Sequence, residues 1–304
     1  MQSTIKSSVE FTGIGLHSGH IVTMVLHPAP TDHGISFQRL DILGAPALAA
    51  RFDQVGDTQM CTKLGHGQNT VGTIEHIMAA LAGCGLNNVH VTLTGPEVPI
   101  MDGSSAEFIR GILLAGVMEQ DRPLKALKVL KTVRFQDQGV WAELSPCDQP
   151  KISFAIEFDT PVIGAQSKSM SMANGAFVRE LCDSRTFVRK TEVDMLQANG
   201  LGLGGSLQNA VVVDGDIVLN PEGFRHPDEC VRHKMLDALG DLYLAGGPIL
   251  GHYTGYRAGH RITNELLHVL FATEGAFEWI ECDPVTSYLM PGSDLKQSDL
   301  ALIA

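Results

Sequence analysis

The clearest candidates for chemistry are His233 and Asp237, a histidine and an aspartate four positions apart. They lie in a stretch whose apolar spacing predicts a helix over 228–245. Side chains at i and i+4 project from one face of a helix, so an imidazole nitrogen and a carboxylate oxygen can reach the same metal ion. Asp241 lies one turn further along that face. The spacing is equally typical of an ordinary exposed helix face with an internal hydrogen bond, and spacing alone leaves both interpretations open.

Two further candidates come from other parts of the chain. Glu75 and His76 lie in a predicted amphipathic helix over 70–83. Neighbouring side chains on a helix point about 100° apart, so one can bind a metal while the other reaches metal-bound water. His260 is predicted in a loop between basic residues, where an imidazole is a candidate acid or base. The plain alternatives are a Glu-His pair at a helix edge and a hydrogen-bonded surface histidine.

Together these residues describe a metal-dependent hydrolytic site. The three candidate metal ligands are His76, His233 and Asp237. Two imidazoles and one carboxylate leave a fourth position on zinc open for water. Glu75 is then the candidate general base and His260 the candidate general acid, with Asp241 orienting the His260 imidazole. Because the ligands come from both halves of the chain, the site is expected between two domains.

The elements that must position these residues follow one order, strands, helix, strand and helix, on each side of a polar segment at 119–126 that contains a proline. This order predicts an α+β protein of two domains of similar plan, 1–122 and 126–304, each a mainly antiparallel sheet packed against helices. Helices are predicted over 70–83, from 104 with a Ser104–Glu107 capping box, and over 174–182, 192–199, 228–245 and 264–273. Strands are predicted within 1–60 and over 88–94, 127–135, 140–145, 152–158, 186–188, 210–213 and 249–257.

Composition limits the classes of partner and compartment. With 22 Lys and Arg against 34 Asp and Glu, the net charge is −12, which argues against nucleic-acid binding. No stretch reaches the roughly 18 apolar residues of a membrane helix, and the N-terminus lacks the apolar core of a signal peptide. The 6 cysteines are scattered without a CxxC motif, which indicates reduced thiols. We therefore expect a cytoplasmic monomer with a frayed apolar tail at 300–304.

A glycine-rich segment at 200–206, with the sequence GLGLGGS, supports an alternative function. It would make the protein a nucleotide-dependent small-molecule kinase, although the segment lacks the Lys-Ser/Thr ending of a P-loop. We interpret it as a turn with close backbone packing. A non-catalytic binding module with a structural zinc is a further alternative, and it would require four protein ligands and a closed site.

A series of motifs resembles one family, the UDP-3-O-acyl-N-acetylglucosamine deacetylases, which are zinc amidases of lipid A biosynthesis. The motifs occur in family order over nearly the whole chain: TGIGLHSG at 12–19, TIEH at 73–76, PEVPIMDGS at 96–104, SRTF at 184–187, LGGS at 203–206, VRHKMLDALGDL at 231–242 and GH at 259–260. The resemblance implies hydrolysis of the acetamide of UDP-3-O-(3-hydroxyacyl)-N-acetylglucosamine to acetate and UDP-3-O-acyl-glucosamine, an early committed step of lipopolysaccharide synthesis.

The same resemblance implies details of the site. It implies one Zn²⁺ per chain on the three candidate ligands, although Fe²⁺ suits the same donors. It implies helices sandwiched between the two sheets, and a β-α-β insert at about 186–215 that walls a hydrophobic passage for the acyl chain. Thr186 and Lys234 would contact the substrate or its developing oxyanion, and Phe187 would pack on the sugar. The implied substrate-binding residues are Phe187, Cys61, Met60, Gly205, Ser206, Val193 and Ala210.

Overall fold

A computed structural model describes residues 1–302. Its strands, in chain order, are β1 (Ser3–Ile5), β2 (Val9–Ile14), β3 (Ile21–Pro28), β4 (Ile35–Arg39), β5 (Leu48–Ala49), β6 (Val55–Asp57), β7 (Lys63–His66), β8 (Asn69–Val71), β9 (Val89–Leu93), β10 (Val117–Glu119), β11 (Lys125–Val129), β12 (Val133–Asp137), β13 (Val140–Ser145), β14 (Lys151–Glu157), β15 (Ala165–Ser171), β16 (Phe187–Arg189), β17 (Val211–Asp214), β18 (Ile217–Val218), β19 (Ile249–Leu250), β20 (His252–Tyr256) and β21 (Phe277–Glu281). Its α-helices are α1 (Glu75–Gly83), α2 (Ala106–Ala115), α3 (Ala176–Glu180), α4 (Lys190–Ala198), α5 (Glu229–Leu242), α6 (His260–Ala272) and α7 (Pro284–Leu289).

Two five-stranded sheets of the same topology form the frame of the molecule. The first has the order β2-β3-β9-β4-β5 and the second the order β12-β13-β20-β14-β15. In each sheet one central pair is parallel, β4 with β9 and β14 with β20, and the other pairs are antiparallel. The prediction of an α+β fold built from two halves of similar plan, each with a mainly antiparallel sheet, is confirmed.

Alternating side chains explain why these segments become half-buried strands. In β3, Val22, Met24 and Leu26 are buried while the residues between them are less so. In β14 the buried residues are again every second one, from Ile152 to Ile156. Since successive side chains of a strand point to opposite faces, this period fixes which face of each sheet meets the helices.

The helices lie between the two sheets. From the first half, α2 packs against β2 and α1 packs against α2. From the second half, α5 packs against β14 and β15, and α6 against β12 and β13. The two layers meet where α1 packs on α5, and every residue of α1 is buried there. The predicted sandwich of helices between sheets is therefore confirmed.

A glycine sets the distance between α1 and α5. A Cβ atom added to Gly240 would lie 2.1 Å from the carbonyl oxygen of Glu75 and 3.0 Å from the amide nitrogen of Ala79. Both contacts are with backbone, which cannot rotate away. The two helix backbones therefore approach as closely as they do because position 240 has no side chain.

Two predicted helix starts are wrong. The helix predicted from residue 70 begins at Glu75, because Thr73 has a left-handed φ of 55° and the residues before it pair as β8. The predicted capping box at Ser104 is absent, since α2 begins at Ala106 without a side-chain cap from its N-cap residue. The hydroxyl of Ser104 instead donates to Asp102 Oδ1 at 2.7 Å and accepts from the Ala106 amide, the first of the helix, at 3.2 Å.

Three other boundaries also differ from the sequence patterns. The last long helix begins at His260 and not at 264, so His260 is a helical residue and not part of a loop. The predicted strand 127–135 is two strands in different sheets, β11 and β12. The predicted strand 249–257 is interrupted at Gly251, where an added Cβ would lie 2.7 Å from the Val129 side chain.

The tail predicted to fray at 300–304 extends beyond the described residues at 303–304, but Gln297–Leu302 form a 3₁₀ turn and Leu300 packs against the core. Among residues 1–302 no helix combines the length and apolarity needed to cross a bilayer. Only the short stretch 120–124 separates β10 from β11, and the domain limits 1–122 and 126–304 stay a prediction.

The contact at Gly240 can be tested by adding one methyl group. We expect Gly240→Ala to lower the free energy of unfolding by about 1–3 kcal/mol, because the methyl group overpacks two helix backbones. Urea or thermal unfolding measures the change. The matched control is Gly111→Ala in α2, where the atoms nearest to the new methyl belong to the side chains of Phe11 and Val9, which can move, and not to backbone. Equal stability of the parent and Gly240→Ala would contradict the packing argument.

Candidate active site

Two helices bring the three candidate ligands together. His76 lies in the first turn of α1, and His233 and Asp237 lie one turn apart on α5. Nε2 of His76 is 3.6 Å from Asp237 Oδ1, and Nε2 of His233 is 3.4 Å from the same oxygen. All three residues are buried, and one ligand atom from each lies within 4.8 Å of the others. This separation allows the three side chains to share one ion.

The hydrogen bonds around this cluster test whether a cation fits it. Nδ1 of His233 lies 3.0 Å from the carbonyl of Ser184 and donates to it, so Nε2 carries a lone pair. Lys234 Nζ donates to Asp237 Oδ2 at 2.5 Å. Asp237 Oδ1 is buried and has no hydrogen-bond partner among the described residues. Since a buried carboxylate oxygen is costly without a partner, the donor set fits a divalent cation placed among these atoms.

Burial controls the charge of the cluster. It lowers the pKa of His76 to about 3 and also lowers the pKa of His233. Burial alone would raise the pKa of Asp237, but His233 and Lys234 outweigh it and hold that pKa below its usual range. Two neutral imidazoles and an ionised carboxylate are the ligand forms that zinc and ferrous iron accept.

A second group of titratable side chains lies beside the cluster. His260 Nδ1 is 2.8 Å from Asp241 Oδ2, and His260 Nε2 is 3.7 Å from Glu75 Oε1. Burial raises the pKa of Glu75 to about 7. Burial alone would lower the pKa of His260, but Asp241 and Glu75 raise it to about 9. The arrangement therefore pairs a carboxylate with an imidazole that favours its protonated form at neutral pH.

Thr62, which no sequence pattern singled out, connects this group. Its amide donates to Glu75 Oε2 at 3.0 Å, and its hydroxyl donates to Asp241 Oδ1 at 2.6 Å. Its carbonyl accepts a hydrogen bond from the Ile74 amide at the start of α1. A threonine between two strands carries no periodic signal, so only the tertiary structure reveals these contacts.

Residues 184–187 are held against α5 by a buried ion pair. Arg185 Nε donates to Glu229 Oε1 at 2.9 Å, and both side chains are almost inaccessible to solvent. The ring of Phe187 stands at 82° to that of His233, with ring centres 6.2 Å apart. This anchoring places Phe187 next to the candidate ligand His233, and Thr186 precedes it in the chain. The sequence did not predict this ion pair. The available signal was that Arg185 lies within the SRTF motif and Glu229 lies two residues before the motif that begins at 231.

A cavity of about 420 Å³ opens between α4, β16, β17 and the turn that follows β2. All the implied substrate-binding residues except Cys61 line it, together with Thr186 and apolar side chains such as Leu196 and Leu219. Lys190 also lines the cavity, but its Nζ turns outward to Asp214 Oδ2 at 3.1 Å. Cys61 is instead buried under Glu75, and burial raises the pKa of its thiol to about 12.

A second cavity, of about 380 Å³, is lined by three cationic residues, Arg189, Lys234 and Arg257, and by two acidic ones, Glu157 and Asp159. Lys234 faces this cavity and also donates to Asp237 in the metal cluster. This cavity and the cluster are therefore neighbours. Its lining has one more cationic than acidic residue, in a chain whose net charge is −12.

The glycine-rich segment 200–206 packs on the turn after β2. The amide of Gly204 donates to the carbonyl of Leu16 at 3.0 Å, and a Cβ at Gly204 would lie 2.3 Å from the carbonyl oxygen of Gly15. Its amides therefore serve backbone packing and do not form a phosphate cradle. This geometry removes the structural basis of the kinase alternative.

Glu97 fixes the turn after β2 through hydrogen bonds to its backbone. The sequence patterns did not identify this role. Its buried carboxylate accepts hydrogen bonds from the His17 amide at 2.9 Å, the Ser18 amide at 2.8 Å and the Thr73 hydroxyl at 2.7 Å. An acidic residue between apolar neighbours in PEVPIMDGS was the available signal. Both ring nitrogens of His17 are buried without a hydrogen-bond partner among the described residues.

The chain is similar over most of its length to known proteins of one family. A family model described as UDP-3-O-acyl N-acetylglycosamine deacetylase matches residues 2–272. A protein named UDP-3-O-acyl-N-acetylglucosamine deacetylase from Acidithiobacillus ferrooxidans (strain ATCC 53993 / BNL-5-31) is 46% identical over 282 residues, which cover 92% of this chain and 93% of the relative. Proteins of the same name are 44% identical in Neisseria gonorrhoeae (strain ATCC 700825 / FA 1090), covering 92% and 93%, and 42% identical in Shewanella frigidimarina (strain NCIMB 400), covering 96% and 98%.

The match extends over both five-stranded sheets and over both helices that carry the buried His-His-Asp cluster. The relatives agree with this chain over nearly their full length. The chain therefore belongs to the UDP-3-O-acyl N-acetylglycosamine deacetylase family.

Proposed function

We propose that this chain is a metal-dependent amidohydrolase that removes the acetyl group from UDP-3-O-(3-hydroxyacyl)-N-acetylglucosamine, releasing acetate and UDP-3-O-acyl-glucosamine, an early committed step of lipid A biosynthesis. Family membership supports the substrate and the reaction. One observation carries the proposal on the structural side. Asp237 Oδ1 is a buried, unpartnered carboxylate oxygen that faces two imidazoles, next to a carboxylate–imidazole pair suited to proton transfer.

The family is one of metalloenzymes, and we assign one Zn²⁺ per chain to His76, His233 and Asp237. Bound there, Zn²⁺ would polarise the amide carbonyl and lower the pKa of coordinated water towards about 7. The donor set supports zinc because three protein ligands leave a position open for reactants. Fe²⁺ is the alternative metal, because it suits the same donors.

The chain's own residues would move the protons. Glu75 Oε1 would accept a proton from the water as it attacks the acetamide carbon. His260 Nε2 would donate a proton to the amine as the carbon–nitrogen bond breaks, and Asp241 would keep the ring oriented through its bond to Nδ1. The 3.7 Å between Glu75 Oε1 and His260 Nε2 supports this assignment, since both atoms can reach one reacting group.

Two further side chains are assigned to the developing negative charge on the acetyl oxygen. Lys234 Nζ, next to Asp237, brings a fixed positive charge to the rim of the cluster. Thr186 lines the 420 Å³ cavity at the point where Phe187 approaches His233. Donors held in place before the reaction stabilise such charge without a cost of reorganisation.

The two cavities suit the two ends of the substrate. The apolar cavity beneath α4 would take the acyl chain, with Phe187 packing on the sugar. The 380 Å³ cavity would take the diphosphate on Arg189, Lys234 and Arg257, which outnumber its two acidic residues. Phe187 of the first cavity approaches His233, and Lys234 of the second donates to Asp237, so the acetamide would lie at the metal cluster.

The cysteines support a reducing compartment, and we propose that the reaction takes place in the cytoplasm. All 6 cysteines are free thiols, and 4 of them are buried, at positions 61, 84, 182 and 230. Buried unpaired thiols are usual in reducing compartments.

The base assignment can be tested with Glu75→Gln, which keeps the side-chain shape and removes the proton acceptor. We expect kcat to fall by about 10²–10⁴ while the metal content stays at the parental level, because Glu75 is not a ligand. Acetate release and metal analysis on the same preparation measure both. The control is Glu278→Gln on the exposed side of β21, which should keep full activity. A Glu75→Gln enzyme as fast as the parent would rule out this role.

The metal assignment is tested by removal and return of the ion. We expect a chelator to abolish acetate release and to lower the thermal unfolding midpoint, because an ion bound only by the folded state stabilises that state. Adding Zn²⁺ or Fe²⁺ to the apoprotein, without air, then identifies which metal restores activity. His233→Ala should bind less than one ion per chain. Full activity in the metal-free protein would contradict the proposal.

The assignment of the apolar cavity beneath α4 to the acyl chain can be tested by filling that cavity. Val193→Trp in α4 should lower kcat/KM for long acyl chains by about fourfold for each methylene that it excludes, and should affect short-chain substrates little. Rates measured over a series of acyl lengths give this slope. The control Ala198→Trp lies on the exposed side of the same helix. An equal loss for all chain lengths would place the acyl chain elsewhere.

A further inference from the structure

Thr62 lies between two carboxylates of the site. One belongs to Glu75, the proposed base, and the other to Asp241, which contacts His260, the proposed acid. Thr62 is 1% exposed and lies between β6 and β7, on a segment that carries none of the assigned catalytic groups. Glu75 begins α1 in the first half of the chain, and Asp241 lies near the end of α5 in the second half. One residue therefore contacts two carboxylates from different helices.

The two contacts use different parts of Thr62. Its amide donates to Glu75 Oε2 at 3.0 Å, and this bond leaves Oε1 directed towards His260. Its hydroxyl donates to Asp241 Oδ1 at 2.6 Å, while Oδ2 of the same carboxylate accepts from His260 Nδ1 at 2.8 Å. Each carboxylate thus has one oxygen fixed by Thr62 and the other directed to His260.

The position of Thr62 is itself fixed. Its carbonyl accepts from the Ile74 amide at 3.3 Å, which ties the segment to the start of α1. Thr62 makes three hydrogen bonds with the described residues, through its amide, its carbonyl and its hydroxyl. Of these, only the bond from the hydroxyl to Asp241 depends on the side chain. Removing it would leave Asp241 Oδ1 buried without that donor, and a carboxylate held by one oxygen can rotate about its Cβ–Cγ bond.

We infer that Thr62 is a positioning residue that, through its hydroxyl, holds Asp241 in the orientation that directs the His260 ring towards Glu75. This inference rests on the proposed function. Thr62 does not contact the three candidate metal ligands in any hydrogen bond of the described residues, so its effect should appear in turnover and not in metal affinity. Its backbone amide would continue to orient Glu75 in any substitution.

The test compares Thr62→Val with Thr62→Ser. Valine has the shape of threonine without the hydroxyl, and serine keeps the hydroxyl. We expect Thr62→Val to lower kcat by about tenfold to a hundredfold, the effect of a hydrogen bond to a charged group, with KM and metal content unchanged. Thr62→Ser should restore most of the parental kcat. The matched control is Thr4→Val, another buried threonine hydroxyl, which accepts from the Ala29 amide far from the site.

A double-mutant cycle separates positioning from a general structural effect. If Thr62 acts through Asp241, Thr62→Val should cause no further loss of kcat in an Asp241→Ala background. Multiplicative losses in that background, or a parental kcat in Thr62→Val, would overturn the inference. An unfolding midpoint lowered to the same extent in Thr62→Val and Thr4→Val, with kcat lost only in the first, supports it. Absence of metal-dependent acetate release from the parent would instead refute the proposed function.

Discussion

The close approach of two buried helices is the constraint on which the site depends. The backbone of α5 at Gly240 contacts the backbone of α1 at Glu75, and no side chain separates them. This contact brings His76 on one helix within ligand distance of His233 and Asp237 on the other. It also places Glu75 opposite the stretch of α5 that carries Asp241. A larger spacing between the helices would separate the three candidate ligands and would also move Glu75 away from Asp241 and its partner His260.

Such a contact buries several charges, and the structure compensates each of them with a specific partner. Lys234 neutralises one oxygen of Asp237 and leaves the other for a cation. His260 and Thr62 satisfy the two oxygens of Asp241. A buried charge without a partner would be protonated or would destabilise the fold, so these hydrogen bonds are required for stability as well as for chemistry.

Two halves with the same sheet topology contribute different parts of the reaction centre. The first half supplies one candidate imidazole ligand, the proposed base, Thr62 and part of the wall of the 420 Å³ cavity. The second supplies the other candidate ligands, the proposed acid, the rest of that wall and the lining of the 380 Å³ cavity. The β-α-β unit of β16, α4 and β17 adds the apolar cavity beside the cluster. The site therefore exists only when both layers of helices are packed against each other.

Local and periodic features could be predicted from the order of residues. Helical spacing placed His233, Asp237 and Asp241 on one face, and alternation identified strands such as β3, because both signals depend on backbone geometry within a few residues. Local patterns misplaced the starts of α1, α2 and α6. Thr73 has a left-handed φ just before α1, Ser104 bonds Asp102 and the Ala106 amide before α2, and α6 already begins at His260. The bridge from Thr62 to two carboxylates and the close helix contact at Gly240 arise from the packing of distant segments. Those contacts join residues as many as 179 positions apart, and no local pattern encodes a distance through space.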